Sequence, residues 1–78
     1  MPTTPLSIQD SASLAIRIVR QTPHLSLRDW TAPYSDLVEE ILGQLLDTAV
    51  ILGYPLDDEG LYAALDIESG RIVAQMID

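Results

Sequence analysis

The stretch LYAALDIESGRIVAQMI, residues 61–77, decides the fold, because it admits two readings. Taken in twos, Leu61, Ala63, Leu65 and Ile67 alternate with Tyr62, Ala64, Asp66 and Glu68. Beyond Gly70, Ile72, Ala74 and Met76 alternate with Arg71, Val73, Gln75 and Ile77. Two is the side-chain period of a strand. Glu68, Ser69 and Gly70 supply a turn, with Gly70 able to take the positive φ that tight hairpins need. Taken at helical spacing, Leu61, Ala64 and Leu65 share a face instead. The glycine turn and the β-branched return segment favour a hairpin, with strands over 61–67 and 71–77. A lone hairpin is marginal in water, so this one needs helices on one face, and its free edges invite another strand.

Two helices precede it. Ser7 is placed to cap the first, over 8–21, with Asp10 in the first turn near the positive helix end. Ile8, Ala12, Ala15, Ile16 and Val19 recur at helical spacing, and Asp10, Ser13, Arg17 and Arg20 fill the opposite side. A strand over LAIRIVR is the rival, but it leaves Ala15 and Val19 outside. Pro23 ends the helix. The connector HLSLRDWTAPYSD holds Ser26 and Asp29 at capping-box spacing, and Trp30 is expected to wedge between the two helices. The second helix, 35–53, begins at Ser35. Leu37, Ile41, Leu45, Thr48 and Leu52 form its apolar stripe, widened by Val38, Leu42, Leu46 and Ala49. Asp36, Glu39, Glu40, Gly43, Gln44 and Asp47 make its polar side. Beyond Asp47 that side disappears, so TAVIL is expected to be covered all round, by the core or by a second chain. Gly53 suits the position after a helix end, and Pro55 blocks continuation. The order is α–α–β–β: an α+β fold in one domain over 7–78, preceded by a loose arm at 1–6.

With 78 residues the chain has room for one core. It contains no cysteine, so no disulfide or thiolate metal site staples it. Stability falls to apolar packing, for which 47% hydrophobic residues, twelve leucines and eight isoleucines among them, are adequate. Small domains without staples often oligomerise, and a homodimer is expected. Val50 and Ile51 on the second helix, with Val73 and Ile77 on the second strand, are its candidate interface.

Charge is the strongest global feature. Net charge is -8, from twelve acids and four arginines, with no lysine. Residues 1–28 set Asp10 against Arg17, Arg20 and Arg28, whereas residues 29–78 set eleven acids against Arg71 alone. Such a body repels nucleic-acid phosphate and anionic lipid and favours a basic protein partner. Direct nucleic-acid binding through the three N-terminal-half arginines is a weak footprint. MPTTPLSIQD lacks the basic and apolar regions of a secretory leader, and no apolar run approaches a membrane span; a cytoplasmic location is expected.

The acids of LDDEGLYAALDIESG, 56–70, invite a calcium loop. With Asp57 first, Glu68 falls twelfth, as in an EF-hand. Glu59 stands third, Leu61 fifth, and Tyr62 sixth where glycine is required, so the pattern fails. His24 is the only histidine, with no nucleophile beside it in sequence, and the four glycines are isolated. No cofactor, metal site or catalytic set follows, and an enzyme is not expected. The acids instead suggest a surface: Asp36, Glu39, Glu40 and Asp47 on the second helix, Asp57, Asp58 and Glu59 on a loop, and Tyr62, Asp66 and Glu68 on the outer strand face. The expected function is that of a small acidic regulator or inhibitor occupying a basic site on a partner, the niche of phage-type inhibitors, antitoxins and immunity proteins by size and charge. The alternative is a structural homodimer or adaptor whose acids serve solubility.

Overall fold

The computed structural model describes residues 7–54 and 57–77. The expected 1–6 arm and the stop at Pro55 lie outside them. Three helices account for the architecture: α1 Ile8–Arg20, α2 Tyr34–Leu52 and α3 Glu59–Met76. Among the described residues there is no strand. The protein is therefore all-α, and the α+β reading with a C-terminal hairpin is corrected.

The correction rests on α3. Asp58, read from sequence as a loop acid, is its N-cap; the carboxylate accepts the Leu61 amide at 2.9 Å. Leu61, Leu65, Ser69 and Val73, each four residues on, are all buried, the row that one helix face presents. Gly70 does not turn the chain. Gly53 alone among the described residues has positive φ, and Gly70 is an interior helical residue. The alternation of 61, 63, 65 and 67 misleads because Ala63 and Ile67 are exposed apolar residues.

The first two helices stand close to the expected bounds. Ser7 caps α1, accepting the Asp10 amide at 3.1 Å. The buried row of α1 is Ser11, Ala15 and Ile18, whereas Ile8 and Ile16 are exposed. The inward face is thus turned by about one residue, roughly 100° of helix, from the stripe the sequence suggests. α2 starts behind Pro33, whose carbonyl accepts the Asp36 and Leu37 amides; Ser35 does not cap it. α2 ends as expected at Gly53, φ 80°. There the Tyr54 amide reaches Ala49 O and the Gly53 amide reaches Val50 O, each at 3.0 Å, which closes the orphan carbonyls in a Schellman motif.

α3 packs against both other helices, which touch each other little. Tyr34, first in α2, donates its hydroxyl to Gly70 O at 3.0 Å, so α2 and α3 run antiparallel. Thr22, just past α1, is hydrogen-bonded through its hydroxyl to that of Thr48 near the end of α2, at 2.8 Å. The ends of α1 and α2 therefore meet, and both oppose α3. Ala15, Ile18, Leu27, Leu37, Ile41, Leu42, Leu45, Ala49, Leu61, Leu65 and Val73 make the core, each larger aliphatic contributing about 2 kcal/mol through burial.

Residues 21–33 return along α2 as a strap. Gln44 clamps it through both backbone groups of one residue, accepting the Ser26 amide at 3.2 Å and donating to Ser26 O at 2.8 Å. Glu40 accepts the Arg28 amide at 2.8 Å. Leu27 enters the core between these clamps. Asp29 accepts the Thr31 hydroxyl and amide and forms no capping box with Ser26. Trp30 lies on the surface, 53% exposed, and does not wedge between helices.

Candidate protein-binding surface

The candidate acids divide by what holds them. On α2, Asp36, Glu39 and Asp47 are exposed, while Glu40 is half-buried against the strap it secures. Glu40 thus serves the fold whatever else the surface does. Asp57 is exposed, Asp58 is the half-buried cap of α3, and Glu59 is exposed in the first turn of α3. The loop of the failed calcium pattern is mostly helix. Tyr62 and Asp66 are one helical turn apart and both exposed. Glu68 is not their neighbour: it is half-buried, 3.6 Å from the Arg71 guanidinium in an i,i+3 pair. The outer strand face that grouped the three does not exist.

Among the described residues other than Asp58, Glu68 is the one acid within ion-pair distance of a cation. The arginines Arg17 and Arg20 are exposed on α1 and Arg28 on the strap. The Asp29 carboxyl is held below the ordinary range, first by the Thr31 hydroxyl and then by the Thr31 amide, against an opposing effect of desolvation. That is local turn chemistry and marks no reactive group.

Two open grooves accompany these faces. One, about 540 Å³, runs between strap and α2, lined by Ser26, Arg28, Glu40, Gly43, Gln44 and Asp47. Its single guanidinium shares the floor with two carboxylates, so neither a simple anion nor a simple cation finds a uniform field. The other, about 440 Å³, lies on α1 around Arg17 and Arg20. His24 is exposed in the turn after α1 and makes no hydrogen bond or ion pair among the described residues. No three of its acids and histidine group as metal ligands among the described residues. No helix among the described residues is long and apolar enough to cross a membrane.

Of the apolar candidates, Val73 is fully buried in the core of its own chain. Val50, Ile51 and Ile77 are exposed, Ile51 at 82%. The TAVIL segment is thus covered within the chain on the Ala49 side only. Tyr34 is half-exposed and leans on Gly70.

Comparison with known proteins supplies no relative: no family model matches the chain, and no curated protein or solved structure matches it.

Proposed function

We propose that the protein is a small acidic regulator or inhibitor that occupies a basic site on a partner protein, of the kind that otherwise receives nucleic-acid phosphate. One observation carries the reading. Asp36, Glu39 and Asp47 stand exposed on one helix with no cation at ion-pair distance among the described residues, Arg28 only sharing a groove with Asp47, and exposed Asp57, Glu59 and Asp66 add to the same sign of charge. Like charges crowded on a helix cost a few tenths of a kcal/mol per pair, and a basic partner relieves that cost. The acids not engaged in caps or clamps are the ones available. Pull-down from the native host identifies the partner, and titration then tests the physics. Affinity is expected to fall steeply with salt. The triple variant Asp36→Asn, Glu39→Gln, Asp47→Asn is expected to lose at least roughly tenfold in affinity with unchanged helicity. Salt-independent binding that survives the triple variant would rule the reading out.

A second reading, a self-assembling adaptor, is favoured by the exposed apolar side chains of Val50, Ile51, Ile67 and Ile77. In it the acids keep the assembly soluble.

A further inference from the structure

α3 carries two apolar rows. The buried one, Leu61, Leu65, Ser69 and Val73, steps by four and faces α1 and α2. The other, Ala63, Ile67, Gly70, Ala74 and Ile77, steps by four and three in turn. Ala63 and Ala74 are exposed, Ile67 is 66% exposed and Ile77 49%. Alternating steps of four and three average 3.5 residues, the repeat by which one helix keeps a seam against another. Among the described residues nothing covers this seam, save that the half-exposed Tyr34 flanks it at Gly70 and forms one wall.

We propose that this seam is where a second copy of the chain docks, α3 beside α3 in parallel about a twofold axis. The inference deepens the self-assembly reading and is independent of the acidic-surface one. The charges beside the seam identify the occupant. With Ile67 and Ala74 in the a positions and Ala63, Gly70 and Ile77 in the d positions, Asp66 takes g and Arg71 takes e. A parallel pair brings each g residue against the e residue five places on in the partner helix. Asp66 of one copy then meets Arg71 of the other, and the twofold repeats the contact in reverse. Arg71 is the only cation of residues 29–78. Its side chain is 63% exposed, and its pairing with Glu68 within the helix is long, at 3.6 Å, so it is available. The small side chains Ala63 and Ala74 let the two helix axes approach on either side of Gly70, which the Tyr34 hydroxyl covers, at the usual spacing of about 8–10 Å. The seam from Ala63 to Ile77 is about 21 Å long, a small interface for which micromolar affinity is expected.

Sedimentation equilibrium of the full chain in moderate salt, from roughly 5 µM to roughly 500 µM, brackets that affinity. The mass is expected to double across the range. Ile67→Lys is expected to stay monomeric throughout, with an unchanged helical spectrum. Asp66→Arg alone and Arg71→Asp alone are each expected to weaken self-association roughly tenfold. An equimolar mixture of these two variants is expected to recover it as heterodimer, because each then presents the sign the other lacks. A dimer that resists Ile67→Lys would refute this seam while leaving self-assembly standing. A monomer at every concentration would refute both. Loss with Ile67→Lys without recovery in the mixture would refute the parallel register.

Discussion

Ser11 and Ser69 meet the same packing problem with different outcomes. Both lie in the buried rows, at 2% and 0% exposure. The Ser69 hydroxyl donates to Leu65 O at 2.7 Å, one turn back along α3. The Ser11 hydroxyl has no partner among the described residues. A buried polar group left unpaired carries its full desolvation cost, whereas a bonded one roughly breaks even. Ser11→Ala is therefore expected to stabilise the protein by about 1 kcal/mol, from relief of that cost and from alanine's helix propensity. Urea denaturation should show a higher midpoint at unchanged slope. Ser69→Ala should move the midpoint less, since a made bond is lost as propensity is gained. Neither serine's burial is legible: the spacing of Ile8, Ala12, Ala15, Ile16 and Val19 places the inward stripe of α1, of which Ala15 is buried and Val19 packs on the core, because apolar residues outweigh a serine in any count of hydrophobic spacing. The buried row of α1 is Ser11, Ala15 and Ile18, on the helix that packs chiefly against α3.

At the scale of elements, α1 and α2 were legible in extent and α3 was not, and the reason lies in which residues fill each face. α2 has apolar residues inside and acids outside over most of its length, so its period shows. α3 places Ser69 and half-buried Glu68 inward and Ala63, Ile67 and Ile77 outward, which erases the 3.6-residue contrast and leaves a chance alternation in twos. The decisive local signal was present in Asp58, a good N-cap residue, but it stood among other acids and read as loop charge. Gly70 discriminates the two folds by experiment. A hairpin turn with positive φ at this position would be damaged by Gly70→Ala. In the helix, an added Cβ lies 3.4 Å from the Tyr34 hydroxyl, an ordinary contact. Gly70→Ala is expected to stabilise by up to about 1 kcal/mol, read as a higher melting temperature with equal or greater helicity. The strap offers a second test. Gln44→Ala removes both bonds to Ser26 and is expected to cost about 1 kcal/mol. Hydrogen exchange should localise the loss, with the Ser26 and Arg28 amides exchanging at least several-fold faster and the α3 amides following only global stability.

At the scale of the whole molecule, composition sets the charge, twelve acids against four arginines. A cross-section of 20 × 16 Å is about that of helices packed one beside another. The described surface carries exposed acids and an exposed apolar row on α3. The candidate acids were legible as residues but not in their arrangement: Glu40 and Asp58 are committed to clamp and cap, and Glu68 turns away from Tyr62 once the strand becomes a helix. The two surfaces respond to salt with opposite sign. Binding of the acidic face to a basic partner gains from long-range attraction, so screening weakens it. Self-association through the α3 seam brings together two chains of net charge -8 each, so screening relieves their mutual repulsion and strengthens it, the two Asp66–Arg71 contacts being short-ranged and less affected. Folding of the monomer is opposed by the same repulsion within one chain. Raising sodium chloride from roughly 20 mM to roughly 300 mM shortens the Debye length from about 20 Å to about 6 Å. Over that range the melting temperature and the dimer fraction should both rise while affinity for the partner falls. Calorimetry, sedimentation and a partner titration on one salt series measure all three. A dimer fraction that falls with salt would mean that association is driven by contacts between opposite charges, the Asp66–Arg71 pairs among them, and not by the apolar seam.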